Sequence, residues 1–341
     1  MSLAASALEG NRLALSRLLS QVENGSTEGR EALSELFQHT GQAHLVGVTG
    51  ASGTGKSSLV NQLALFYRHP PAGEKPRRVA VVAVDPSSPF SGGAFLGDRV
   101  RMRDLAGDPG IFIRSMASRG SLGGLANATA GFVQVLDAAG FEIILVETVG
   151  AGQDEVDIAR LAHTTIVVEA PGLGDDIQAI KAGILEIADI LVINKADRPG
   201  VENTERALRN MLELAHPVSH PTTHHGQTDS IAASTPPPAD QQAWIPPILR
   251  TVALEGTGIQ ELGKALEAHA QHLKRSGDWQ RRERLRLESE LETLIQVSLV
   301  ARWRENVSDQ VYQDVLTKIV SRSLSPLEAA EALLNGRNNR Y

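Results

Sequence analysis

The chain has 341 residues, 33 Lys and Arg against 40 Asp and Glu, a formal net charge of −7 at pH 7 and no cysteine. A nucleic-acid surface needs a clustered basic face, and the densest basic run, Arg281-Arg-Glu-Arg-Leu-Arg286, is interrupted by an acid. Disulfides and thiolate metal sites are excluded, while the length suffices for one α/β core with helical appendages.

In chain order, leucines at helical spacing over 4–21 and again over 28–39 predict two amphipathic N-terminal helices. No apolar stretch is long enough to span a bilayer, and the first twelve residues lack the basic lead of a secretory signal, so no membrane partner and a cytoplasmic location are expected. His44–Thr49 reads as a buried strand, and it runs directly into Gly50-Ala51-Ser52-Gly53-Thr54-Gly55-Lys56-Ser57, followed by Ser58 and a helix-compatible stretch over 59–67. This is a complete phosphate-binding loop. Gly50 and Gly55 let the backbone wrap a phosphate chain, N–H groups at the helix start supply positive partial charge, Lys56 can reach the β and γ phosphates, and the Ser57 hydroxyl suits Mg²⁺.

Further strands are predicted at 78–84, 142–146, Thr164–Glu169, 190–193 and 248–252. Runs so continuously apolar imply strands covered on both faces, hence a mostly parallel central sheet flanked by helices. Three of them end in polar groups on the ligand-binding edge of such a sheet. After 78–84 come Asp85-Pro-Ser-Ser and a Gly-rich segment with Asp98 and Arg101; after 142–146 come Glu147-Thr-Val-Gly150 and Gln153. Strand-end carboxylates can hold a metal or its water, and the Gly150 N–H can sense a terminal phosphate. After 190–193 comes Asn194-Lys195-Ala-Asp197, a guanine-selecting pattern: Asp197 would accept from the base N1–H and exocyclic amine, Asn194 would brace the pocket, and the Lys195 stem would cover the base. GTP and GDP with Mg²⁺ are the ligands implied. No residue is a clear catalytic base; Gln153 is a candidate to orient water and Arg101 a candidate to stabilise the transition state.

The phosphate loop, Asp85-Pro-Ser-Ser, Gly97-Asp-Arg, Glu147-Thr-Val-Gly and above all Ala170-Pro-Gly-Leu-Gly-Asp-Asp-Ile-Gln-Ala-Ile-Lys-Ala-Gly-Ile-Leu-Glu-Ile-Ala-Asp189 resemble the MeaB/ArgK/MMAA GTPases over nearly the whole chain. The resemblance implies a P-loop GTPase that chaperones an adenosylcobalamin-dependent acyl-CoA mutase, gating cofactor loading from a cobalamin adenosyltransferase and protecting the mutase. Methylmalonyl-CoA mutase is the default client; isobutyryl-CoA and 2-hydroxyisobutyryl-CoA mutases are the alternatives. Carried over by position, Lys56 and Ser57 hold phosphate and metal, Asp85, Asp98 and Glu147 form the carboxylate shell, and Asn194 and Asp197 read guanine. Residues 171–181 become an additional switch with Asp175 and Lys181 as its charged members.

Two departures from the family pattern matter. Its usual Ser-Ala pair at the guanine O6 is replaced by Thr251-Val-Ala253-Leu254, which leaves the Ala253 backbone N–H as the expected donor. A His-, Pro-, Thr- and Ser-rich tract over 216–240 reads as a surface insertion reaching to 243. Its His216, His220, His224 and His225 carry the rival reading, a nickel- or zinc-insertion GTPase; a transport-coupled kinase or ATPase is opposed by the guanine motif. The expected organisation is an N-terminal helical extension (1–40), a GTPase domain (41–270) and a C-terminal helical arm (271–341) through which a homodimer forms. Within that arm, 273–304 has an amphipathic pattern that needs a partner surface, and Ser325-Pro-Leu-Glu328 is a capping box opening a short helix.

Overall fold

Seven parallel strands form one sheet in the computed structural model, in the order β3-β2-β4-β1-β5-β6-β7. They are β1 (His44–Thr49), β2 (Val79–Pro86), β3 (Ile111–Ser118), β4 (Ile143–Thr148), β5 (Thr164–Glu169), β6 (Ile190–Asn194) and β7 (Ile248–Thr251). The structure describes residues 2–71, 73–86, 102, 105, 107–118, 124–148, 154–172, 186–215 and 243–334. Every residue of β1, β4 and β6 is buried, as expected for strands covered on both faces.

The period of two along each strand divides the core between those faces. Leu45, Ile144 and Val146 point to one side, where they pack with α1 (Leu3–Leu8), α2 (Arg12–Glu23), α3 (Thr27–Leu36) and α5 (Gly124–Ala138). Val46, Val48, Ile143 and Leu145 point to the other, against α4 (Lys56–Arg68) and α8 (Ile259–Ser276). A smaller cluster joins β6 to α7 (Val201–Ala215), and α6 (Asp154–Leu161) packs on β1.

Three elements differ from the sequence expectation. The single helix expected over 4–21 is broken at Gly10, whose φ of 84° is left-handed, and Asn11 then caps α2, its Oδ1 accepting from Leu13 N–H at 3.0 Å and Ala14 N–H at 3.1 Å. Asn11→Ala should therefore destabilise the fold by about 1 kcal/mol and Asn11→Gly by only a few tenths, read from urea unfolding midpoints; equal losses would remove the capping argument. β3 was not anticipated. It is an edge strand whose Arg114 turns to α2, donating to Ser20 Oγ at 2.9 Å and Glu23 Oε2 at 3.2 Å, so its sequence lacks the continuous apolar run. The run over 273–304 is also two helices: Gly277, at φ 81°, ends α8, and α9 covers Asp278–Asn306.

By contact the chain divides into two compact units, Met1–Arg286 and Leu287–Tyr341. The N-terminal helices, α8 and the first turns of α9 belong with the sheet. The second unit holds the rest of α9, α10 (Asp309–Val320) and α11 (Pro326–Leu334). The capping box of α11 forms as expected, with Glu328 N–H donating to Ser325 Oγ at 3.2 Å and Ser325 N–H to Glu328 Oε2 at 3.0 Å. Among the described residues of this unit Ala329 is the one buried apolar side chain, whereas Leu291, Leu294, Leu299 and Val320 are exposed. A groove of about 440 Å³ runs between Leu299, Trp303, Tyr312, Leu316, Ile319 and Leu333.

Candidate functional site

The carboxyl ends of β1, β4 and β6 carry the loop, the carboxylate and the guanine motif. Gly50, at φ 135°, leaves β1 so close to β5 that a side chain there would strike the Val168 carbonyl. Gly55, at φ 93°, caps α4, and a Cβ would strike Asn194 Nδ2. Both glycines are thus required by φ and by space. Between them Thr54 is fully buried, its hydroxyl donating to Ala51 O at 2.9 Å, while Ala51, Ser52 and Gly53 remain exposed. Helix α4 opens at Lys56, directly after the loop, so its amino end, with the partial positive charge of a helix start, lies at the phosphate loop.

Lys56 is buried, and its ammonium arches back to the loop carbonyls, 2.8 Å from Gly50 O and 3.0 Å from Ala51 O. The Ser57 hydroxyl donates to Glu147 Oε1 at 2.6 Å. Glu147 gets there because β4 pairs in register with β1, Val48 opposite Glu147, which brings its carboxylate to the first turn of α4. One residue on, the Thr148 hydroxyl donates to Thr49 Oγ1 at 3.0 Å and ties the two strand ends together beneath the loop. A hydroxyl and a buried carboxylate in direct contact at a phosphate loop are a fitting oxygen donor pair for Mg²⁺. Asp85 follows Val84, which pairs with Thr148, so its backbone reaches the same edge; its side chain lies outside the described residues.

Asn194 is the joint between the phosphate and guanine ends. It is buried, its Nδ2 donates to Thr54 O at 2.8 Å, and its Oδ1 accepts from Ala253 N–H at 3.1 Å and Thr251 Oγ1 at 3.2 Å. The register of β6 on β7, Asn194 opposite Thr251, sets this up. The Ala253 N–H, expected to be available to the base, is directed at Asn194 here, since Thr251 and Ala253 converge on one acceptor. Leu254, the next residue, is 86% exposed at the loop tip. Lys195 adopts a left-handed φ of 57° and its Nζ donates to Gly53 O at 2.5 Å, laying its stem from the guanine motif across to the phosphate loop. Asp197 is exposed.

Asp98, Arg101, Gly150, Gln153, Asp175, Lys181 and the histidines of 216–225 lie outside the described residues. Among the described residues no group of three His, Asp or Glu could hold a metal ion, and no helix is long and apolar enough to cross a membrane. The positioning hydroxyls of Thr49, Thr148 and Thr251 were missed in the sequence. Each ends a strand bearing a motif, and that was the available signal.

A seven-stranded parallel sheet with Gly-Ala-Ser-Gly-Thr-Gly-Lys-Ser after β1 and Asn-Lys-Ala-Asp closing β6 defines a guanine-nucleotide-binding P-loop GTPase. The chain matches a family model described as methylmalonyl Co-A mutase-associated GTPase MeaB over residues 15–308, and it belongs to that family. A Pyrococcus abyssi protein assigned as a GTPase is 40% identical over 96% of this chain and 93% of its own length. The Escherichia coli GTPase ArgK is 32% identical, covering 93% of this chain and 90% of its own. A crystal structure of an LAO/AO transport system kinase superposes with a TM-score of 0.65 at 26% identity, covering 99% of this chain and 97% of the other.

Proposed function

We propose that this GTPase is the nucleotide-driven chaperone of an adenosylcobalamin-dependent acyl-CoA mutase, gating cofactor loading and protecting the enzyme. Methylmalonyl-CoA mutase is the first client to test, isobutyryl-CoA and 2-hydroxyisobutyryl-CoA mutases come next, and a cobalamin adenosyltransferase is the second partner. The observation that carries the reading is the 2.6 Å Ser57–Glu147 contact in a chain of the mutase-associated family. It couples the phosphate loop directly to β4, whose continuation would respond to the terminal phosphate.

In this reading Ser57 and Glu147, with Asp85 and Asp98, hold Mg²⁺, which when bound offsets charge on the phosphates. Lys56 leaves the Gly50 and Ala51 carbonyls to stabilise charge developing on the β–γ bridge. Asp197 accepts from the guanine N1–H and amine, and Asn194 and Lys195 hold the pocket against the loop. Gln153 orients water, Arg101 assists in cis, and Asp175 and Lys181 carry the nucleotide state to the client. The exposed apolar face and groove of the second unit support a homodimer formed by the C-terminal helices, in a cytoplasmic protein.

Full binding motifs with an incomplete catalytic set call for slow intrinsic turnover that rises when the client completes the site. Single-turnover GTP hydrolysis with and without a cognate mutase should differ by about 100-fold or more, within the range one supplied catalytic group contributes. A rate that is already fast and indifferent to the mutase would remove the chaperone reading and leave the GTPase.

A further inference from the structure

The amino edge of the sheet, opposite the phosphate loop, carries a buried polar cluster that GTP chemistry does not use. His44 opens β1, His163 and Thr164 lead into β5, and Asp189 precedes β6; α8 adds His269, and the first turns of α9 add Trp279, Arg282 and Glu283. His163 Nδ1 accepts the Leu45 N–H at 3.0 Å, so its proton sits on Nε2, which donates to Glu283 Oε1 at 2.7 Å. The ring stacks on Trp279 with centroids 3.9 Å apart, and the His163 carbonyl accepts from Arg282 at 2.8 Å. Alongside, Thr164 Oγ1 sits 2.7 Å from His44 Nε2 and 2.9 Å from His269 Nδ1, and Arg282 forks onto Asp189 with both bonds at 2.8 Å. One neutral imidazole thus joins β1 to the root of α9.

We propose that His163 is a proton-operated latch: with Nδ1 bare it clamps residues 278–286 to the amino end of β1, and proton uptake at Nδ1 removes the acceptor for Leu45 and loosens that root. The latch does not depend on the proposed function. It acts on the helix that goes on to carry Leu291, Leu294 and Leu299.

The groups around His163 fix the sign. Burial is the largest influence and lowers its proton affinity; Glu283 raises it, and Arg286 and Arg282 on the same helix lower it. From β1 comes His44, itself held well below the usual imidazole range by burial first and then by His163, His269, Lys274 and Arg77. From α8, Lys274 lies over the Trp279 ring at 4.7 Å. A histidine that binds protons less readily folded than unfolded contributes stability that is fully present above the ordinary value of about 6.5 and is lost as pH falls below it. Asp189 and Glu283 answer only at lower pH. Burial raises both, but His269 and Arg282 outweigh it for Asp189, and His163 and Arg286 for Glu283, leaving each at about 2.

Hydrogen–deuterium exchange of the full chain tests the latch, after correction for intrinsic rates. Between about pH 7.5 and pH 5.5, the peptides holding Leu45 and 278–286 should exchange about tenfold faster, the size of one pH unit of proton linkage, while the buried end of α5 stays level. His163→Gln cannot titrate and should flatten the step. Glu283→Gln keeps an acceptor but loses the charge that favours imidazolium, so it should move the midpoint to lower pH. The latch is overturned if both peptides follow the rest of the chain, or if His163→Gln keeps the step. Should that variant not fold, a Glu283→Gln midpoint that stays put or rises overturns it equally.

Discussion

Asn194→Ala should lower the stability of the free protein by roughly 3 kcal/mol and its GTP affinity by about 100-fold or more, because one side chain serves both ends of the site. The substitution removes the donor to Thr54 O and the acceptor for Ala253 N–H and the Thr251 hydroxyl. Thr54 and Thr251 have no exposed surface and Ala253 is 3% exposed, so water cannot replace the lost partners. Each stranded buried group costs about 1–3 kcal/mol, and the phosphate loop loses its tether to the base pocket. Thr251→Val removes only one of the three bonds and should cost about 1 kcal/mol with little effect on binding. Urea unfolding and titration with a fluorescent GTP analogue measure the two quantities. Equal small losses for both variants would mean that Asn194 is an ordinary strand-end amide.

Lys56→Ala should reduce single-turnover hydrolysis by about 10²–10³-fold, the usual consequence of removing a preorganised charge from a phosphoryl-transfer site. Lys56 is 6% exposed and held at 2.8 Å and 3.0 Å by two loop carbonyls, so the cation is already desolvated and kept at the loop, from which it can turn to the phosphates. GTP affinity should fall more than GDP affinity, since the γ-phosphate adds charge to the same place. Lys56→Arg should not rescue, because a planar guanidinium cannot occupy the space of a compact ammonium between two carbonyls. A rate within roughly threefold of the parent for Lys56→Ala would remove Lys56 from the reaction.

What could be read in advance was what is local. β1, β4 and β6 announced themselves as apolar runs, and the phosphate loop and Asn194–Asp197 are contiguous in sequence. The capping box at Ser325 and Glu328 closes within one helical turn and forms as its spacing requires. β3 escaped because an edge strand packed partly on polar atoms of α2 need not be apolar throughout. The break at Gly10 escaped because leucines recur on both sides of it, and the one at Gly277 because helix-compatible charged residues continue past it, although each glycine takes a left-handed φ. Ala253 escaped because its amide is claimed by a side chain 59 residues away. The amino-edge cluster was illegible for the same reason. His163 meets Leu45 across 118 residues and Glu283 across 120, and nothing in local spacing points from one to the other.

The central proposition is that the terminal phosphoryl of bound GTP decides how this GTPase engages a B12-dependent mutase. Isothermal titration of a cognate mutase with the protein loaded with Mg²⁺ and either GDP or a non-hydrolysable GTP analogue tests it most directly. The two affinities should differ by about tenfold or more, the range of coupling between linked sites; indistinguishable binding of the two forms, or none of either, would overturn that coupling.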